Sequence, residues 1–221
     1  MDKDLLQNAL RLYAITAEGA YLSPRYKARV RLWLQAGVRA VQFREKGVER
    51  ERLLPLGRFL RAICAEYGAL LIVNDDIELA AELRADGCHL GQEDADLKEA
   101  RRRLGRRAIL GLSTHTAEQV IHAKGAGADY IGVGPIFRPV SKPSPWAPLG
   151  PEFAGWAARA SGLPTVAIGG VSLSNVERVA RAGCPAAAVI SALHATSRPA
   201  RTTRAFLDIL LSAGSARLGS P

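Results

Sequence analysis

The sequence predicts a single (β/α)₈ barrel, and three observations predict it. Short apolar runs alternate with amphipathic stretches along nearly the whole chain, the pattern of βαβ units around a parallel sheet. Eight such units fit into 221 residues, a length that α/β barrels occupy as one domain. Polar residues and glycines gather where the apolar runs end and not where they begin, the asymmetry that an active site at one rim of a barrel requires.

The runs read as strands are Leu12–Ile15, Ala40–Phe43, Leu70–Val73, Gly87–Leu90, Ala108–Leu112, Tyr130–Val133, Thr165–Ile168 and Ala187–Ile190. Helices are expected over Arg25–Gln35, Arg50–Tyr67, Ile77–Leu83, Leu97–Leu104, Ala117–Lys124, Glu152–Ala160 and Asn175–Ala182. Thr116 with Gln119, and Ser174 with Glu177, have the spacing of capping boxes. Gly37, Gly68, Gly127 and Gly183 follow helical stretches, where a left-handed cap is favoured. Residues 134–150 form the one long irregular connection, and such a loop in a compact domain usually serves function. The barrel domain is expected over 1–213, with 214–221 a disordered tail.

Composition excludes several functions. No apolar run approaches the roughly 18–20 residues that span a bilayer, so no membrane partner is expected. The first residues carry acids and lack a signal-peptide core. Cys64, Cys88 and Cys184 show no metal-ligand spacing and read as reduced, buried thiols of a cytoplasmic protein. The net charge of +9 raises the question of nucleic acid, but the basic cluster Arg101, Arg102, Arg103, Arg106 and Arg107 has no interleaved aromatics. A stacking platform for bases is missing, and nucleic acid is not expected. The excess positive charge suits anionic small-molecule substrates. Assembly into a homo-oligomer stays open.

The strand ends carry the chemistry: Gln42-Phe43-Arg44-Glu45-Lys46, Asn74-Asp75-Asp76, Gly91-Gln92-Glu93-Asp94, Ser113-Thr114-His115, Gly134-Pro135, Gly169-Gly170 and Ser191. With the strand period of two, Val41 and Phe43 share one face, and Gln42, Arg44 and Lys46 share the other. The apolar face suits the outer helices, which leaves two cations and an amide for the barrel mouth, an arrangement that binds anions. Asp75 and Asp94 end neighbouring strands. Each alone also suits helix capping, Asp75 with Glu78 in particular. Beside Arg44, Lys46 and Lys142 they better suit a Mg²⁺–diphosphate site, since magnesium is commonly held by one or two carboxylates and substrate phosphates. Gly169 and Gly170 let backbone N–H groups approach a phosphate, although a glycine pair also makes a plain turn. His89 is expected to pack in the barrel, His122 and His194 to lie on helix surfaces, and His115 to be structural or a proton shuttle. These residues point to an enzyme acting on phosphorylated small molecules at the C-terminal rim.

Read in order, QFREK at 42–46, VNDD at 73–76, HLGQED at 89–94, GLSTHT at 111–116, GADYIGVGPIF at 127–137, Ser141-Lys142 and AIGG at 167–170 resemble the thiamine phosphate synthase family. The match runs along nearly the whole chain, and an ordered set of this size is far more specific than any one piece. The resemblance implies a transferase that joins a hydroxymethylpyrimidine diphosphate to a thiazole phosphate and releases diphosphate. It implies that Gln42, Phe43, Arg44, Glu45, Lys46, Asn74, Ser113 and Lys142 hold the pyrimidine diphosphate. Arg44, Lys46 and Lys142 would neutralise the departing charge, and Asp75 and Asp94 would hold Mg²⁺. Pro139, Val140, Ser141, Gly170, Ile190 and Ser191 would take the thiazole phosphate. No protein nucleophile is needed, because the electron-rich aminopyrimidine supports a carbocation once diphosphate leaves. Two alternatives share the barrel: a thiazole tautomerase, which uses a histidine in the region of His115 and no metal, and a non-catalytic regulator that binds thiamine precursors. The intact QFREK, ND and GQED sets favour the synthase.

One departure from the family pattern is Pro139, where Thr-x-Thr usually precedes the lysine. Proline removes a hydroxyl and a backbone N–H. A hydrogen bond to a charged phosphate contributes about 1.5–3 kcal/mol, so the loss corresponds to about ten- to a hundredfold in affinity. Pro139→Thr should therefore lower KM for the thiazole phosphate and leave that for the pyrimidine diphosphate unchanged. Steady-state kinetics with each substrate varied checks this, and an unchanged thiazole-phosphate KM would remove residues 139–141 from the site.

Overall fold

The computed structural model describes residues 2–94, 96–138 and 145–215. Its strands are β1 (Leu12–Ile15), β2 (Ala40–Phe43), β3 (Leu70–Asn74), β4 (Gly87–Leu90), β5 (Ile109–Thr114), β6 (Tyr130–Val133), β7 (Thr165–Ala167) and β8 (Ala187–Val189). All are parallel, each pairs with the next, and β8 pairs back to β1, which closes the barrel. The helices are α1 (Lys3–Ala9), α2 (Tyr26–Gln35), α3 (Arg50–Glu66), α4 (Ile77–Glu82), α5 (Leu97–Leu104), α6 (Ala117–His122), α7 (Pro151–Ala160), α8 (Val176–Ala182), α9 (Ser191–His194) and α10 (Pro199–Ser215). The fold is the (β/α)₈ barrel that the alternation predicts. Helix α10 continues two residues into the stretch read as a tail, and residues 216–221 lie outside the described residues.

Strand parity divides the apolar residues into two cores. Leu12, Ala14, Val41, Phe43, Leu71, Val73, Cys88, Leu110, Ile131 and Val189 face outward and pack with the helices. Tyr13, Ile15, Ala40, Ile72, Ile109, Tyr130, Val166 and Ala188 fill the barrel with Leu6 and Leu10. Leu6 lies on α1 and Leu10 just follows it, so this helix closes the N-terminal end of the barrel. Its placement is fixed by Gln7, whose Oε1 accepts from the Thr165 N–H at 3.0 Å. With one end plugged, ligands are left with the C-terminal end.

The three cysteines are free and fully buried, and burial pushes their thiols up, to about 12 for Cys64 and Cys88 and about 11 for Cys184. Little reactive thiolate exists at neutral pH. The arginine cluster is partly engaged on the helix surface: Arg101 pairs with Asp129, Arg102 with Glu99 and Arg103 with Glu78. Among the described residues no helix is long and apolar enough to cross a membrane.

His194 departs from expectation. It lies on α9 but turns inward, with its ring edge-on to the buried Trp33 at 4.8 Å between centroids. Its Nε2 accepts from the Ala17 N–H at 3.0 Å, tying the segment after β1 to the segment after β8. Burial lowers its imidazole from the ordinary 6.5 to about 4. Between those values the unfolded chain binds the proton and the folded chain does not, so stability falls as pH drops through this window. At pH 4.5 the loss from such a group is about 2–3 kcal/mol. Thermal melts at pH 7 and 4.5 should show it. His194→Gln keeps an acceptor and cannot charge, so it should flatten the pH dependence; an unchanged slope would clear His194 as a source.

Candidate active site

A cavity of about 170 Å³ opens at the C-terminal rim. Its walls are apolar, from Ile15, Val166, Ile168, Ala188 and Ile190. Its polar lining comes from Gln42, Arg44, Asn74, His89 and Ser113, with Tyr13 and Tyr130 below. Each sits on an inward-facing strand position or just past a strand end, so the register of the barrel brings them together. An apolar slot with a few placed polar groups is the ordinary form of a small-ligand site.

The floor is one continuous hydrogen-bonded chain. Gln42 Nε2 donates to the Tyr13 hydroxyl at 3.1 Å, and that hydroxyl lies 2.9 Å from the Tyr130 hydroxyl. Tyr130 is 2.9 Å from His89 Nδ1, and His89 Nε2 is 2.9 Å from Ser113 Oγ. Burial lowers the His89 imidazole to about 4. His89 on β4 and Tyr130 on β6 are not neighbours; both are in register with Gly111 on β5, which lies between them. A Cβ at Gly111 would collide with both rings, so only glycine there lets them meet across the intervening strand. Sequence reading places His89 in the barrel correctly but gives no part to Tyr13 or Tyr130. The available signal was their inward parity with a hydroxyl at the tip of each ring.

The rim above the floor is charged. Arg44 lines the cavity, and its backbone N–H donates to Thr16 Oγ1 at 2.8 Å, which locks the end of β2 to the end of β1. Its guanidinium meets Glu18 at 3.3 Å. Lys46 pairs with Asp75 at 3.0 Å. Neither Asp75 nor Asp94 caps a helix. Asp76 caps α4 by accepting from Leu79 N–H at 2.8 Å, and Asp96 caps α5 by accepting from Lys98 N–H at 3.0 Å. Asp94 instead accepts from the Gly91 N–H and lies beside Asp75. Its carboxyl is raised above the usual range, first by burial and then by its hydrogen bond to Asp75. Asp75 holds a left-handed backbone, φ 63°, which aspartate tolerates better than most residues.

Two expected pyrimidine-site residues turn elsewhere. Phe43 is buried against the outer helices. Glu45 accepts from the Gly19 N–H at 2.8 Å, and burial raises its carboxyl. Pro139, Val140, Ser141 and Lys142 lie outside the described residues. Gly170 has φ 64°, and a Cβ there would press on the Arg138 carbonyl, so this close approach requires glycine. Ile190 lines the cavity and Ser191 opens α9, the short helix after the last strand that commonly faces phosphate in such barrels. The Ser174–Glu177 capping box does not form. Asn175 takes the position and uses its amide to hold the Gly170 carbonyl and the Ser172 N–H, both at 2.9 Å or less. His115 Nδ1 donates to the Gly134 carbonyl, 2.6 Å away, and its ring stacks on Trp146.

The family model for thiamine monophosphate synthase matches residues 12–193, from β1 to α9. The chain belongs to the thiamine monophosphate synthase family. The thiamine-phosphate synthase of Dictyoglomus thermophilum is 40% identical over 199 residues, covering 90% of this chain and 89% of that protein. That of Halalkalibacterium halodurans is 39% identical over 204 residues, covering 92% and 97%. Among solved structures, a thiamine phosphate pyrophosphorylase from Pyrococcus furiosus superposes with a TM-score of 0.84 at 31% identity, covering 95% of this chain and 99% of that one. Family membership makes the protein a transferase.

Gly111→Ala should cost about 1–3 kcal/mol by overpacking, because the methyl meets two buried rings. Gly132→Ala should cost less, since its Cβ approaches only His89, at 3.2 Å. Urea unfolding of both variants checks the order; equal and small losses would mean the rings have room to move.

Proposed function

We propose that the barrel joins a 4-amino-5-hydroxymethyl-2-methylpyrimidine diphosphate to a thiazole phosphate, giving thiamine phosphate and diphosphate. The observation that carries this is the cluster of Lys46, Asp75 and Asp94 at the strand ends beside a cavity that Arg44 lines, with an apolar wall and an amide–hydroxyl floor. The floor suits a flat heteroaromatic ring with polar edges, and the rim suits its diphosphate.

The residues fit a divalent cation. Two carboxylates sit side by side, and Asp94, raised first by burial and then by its hydrogen bond to Asp75, would gain from a cation that stabilises its ionised form. Asp75 and Asp94 would hold Mg²⁺, with the substrate's phosphate oxygens completing its shell. When bound it would supply charge neutralisation for the departing diphosphate.

The chain's own groups do the rest. Arg44 and Lys46, joined by Lys142, bind and neutralise the diphosphate as its C–O bond breaks. Gln42, Asn74 and Ser113 hold the ring so that its exocyclic carbon faces the thiazole nitrogen, which forms the new C–N bond. The apolar wall excludes water from the cationic pyrimidine. Gly170, Ile190 and Ser191 receive the thiazole phosphate. The substrates are small molecules, and the reading places the enzyme in the cytoplasm.

Product formation from the two purified substrates tests the reading against tautomerase or regulator alternatives. Chelation should abolish coupling, and Asp75→Ala should lower kcat by about 10²–10³-fold, about 3–4 kcal/mol. Full coupling in excess EDTA would overturn the metal assignment.

A further inference from the structure

Amides, phenols and imidazoles differ in what they can donate, and this gives the buried chain beneath the cavity a direction. The Gln42 nitrogen has only hydrogens to offer, so the Tyr13 oxygen accepts from it. The single Tyr13 hydrogen is left for Tyr130, and the Tyr130 hydrogen is left for His89 Nδ1. That nitrogen is therefore bare, and the ring proton sits on Nε2, donating to Ser113 Oγ. The Ser113 hydrogen remains for the cavity, and so does the Gln42 carbonyl oxygen. The opposite direction is chemically complete only if the Gln42 amide turns over and every hydrogen in the chain moves with it. The present direction is the stronger of the two, because it sets a phenol, the most acidic hydroxyl of the chain, against imidazole, its most basic nitrogen.

We propose that Tyr13 and Tyr130 are specificity-determining residues: through His89 they make Ser113 a donor and Gln42 an acceptor toward the cavity, which selects an aminopyrimidine over its 4-oxo counterpart. An isolated serine hydroxyl rotates to suit either partner, and an isolated glutamine amide turns over. Linked through two phenols and an imidazole, neither end is free to do so alone. A 4-aminopyrimidine offers an amine hydrogen to the Gln42 carbonyl and a bare ring nitrogen to the Ser113 hydroxyl. A 4-oxopyrimidine offers a carbonyl oxygen and a ring N–H, so both contacts become repulsive unless the whole chain reverses. Gly111 supports the reading independently: a strand interior gives up backbone stability to admit glycine, and here the glycine serves the His89–Tyr130 contact.

This rests on the pyrimidine-binding reading above, and two measurements separate them. Titration calorimetry of the magnesium-loaded enzyme, without thiazole phosphate, would compare the 4-amino and 4-oxo pyrimidine diphosphates. The unmodified protein should prefer the amino ring by a hundredfold or more, and Tyr130→Phe should reduce that ratio at least tenfold, with a lower melting temperature because the buried partners of the lost hydroxyl are left unpaired. Tyr13→Phe breaks the same chain one link away and should act alike, which covers a folding failure of the first variant. Side-chain ¹⁵N resonances of His89 should show a protonated Nε2 and a bare Nδ1. An Nδ1–H tautomer, or a ratio unchanged in both variants, would overturn the proposal. Failure to bind either ring would overturn the pyrimidine reading instead, and the tautomer would still decide the direction of the chain.

Discussion

Closure of eight parallel strands imposes strict parity, and everything else in the molecule depends on it. A residue on a barrel strand faces either the lumen or the helices, and a shift of one residue would exchange the two sets. In β2 this parity sends Val41 and Phe43 outward and Gln42 inward, so one four-residue strand serves the outer core and the cavity floor together. The same constraint explains why Phe43, although it lies inside the QFREK segment, cannot offer its ring to a ligand in the lumen.

Parity also makes long-distance contacts cheap. Neighbouring strands put His89, Gly111 and Tyr130 in one row, and the glycine between the rings turns a next-but-one relation into a direct hydrogen bond. The floor is thus assembled from β2, β1, β6, β4 and β5 without any irregular backbone. Buried polar groups of this kind destabilise a core unless every member is satisfied. Here each link has a partner, and the two ends open onto the cavity.

The fold was legible because its signals are periodic and local. The eight expected strands match the observed ones within about two residues, and all the differences but the start of β5 lie at the end that becomes rim, as at Asn74, Ser113 and Thr114. What was not legible depends on tertiary contact. Helix α1 is too short to show a period, and it is defined by what it plugs. Helix α10 opens on Pro199 and carries polar residues through its first turns, so its buried Phe206 and Leu210 stand out only against the rest of the barrel. His194 looked like a surface residue because nothing local reveals Trp33 beside it. The Ser174–Glu177 spacing satisfied a capping rule, but Asn175 was drawn to the Gly170 carbonyl, where it holds the loop beside β7. Of the candidate site, the charged rim was legible because charge at a strand end has few structural uses. The phenols of the floor were not, because a tyrosine in a strand reads first as core.

The placement of the aspartates sets them apart from the helix caps at this rim. Two carboxylates were ambiguous in sequence because either could have capped the next helix. The chain supplies a separate capping residue each time, Asp76 for α4 and Asp96 for α5, and these leave Asp75 and Asp94 free of helix capping. Both retain features that weaken a fold: Asp75 sits in left-handed backbone, and Asp94 is partly desolvated beside a second carboxylate. A left-handed backbone at a residue other than glycine costs of order 1–3 kcal/mol and persists where the surroundings fix it. The surroundings here are the ends of β3 and β4, anchored by the Asp75 N–H to the His89 carbonyl at 2.9 Å. That single backbone bond connects the charged rim to the residue at the centre of the floor. The two carboxylates of the rim and the imidazole of the floor are therefore held on one strand pair, β3 and β4.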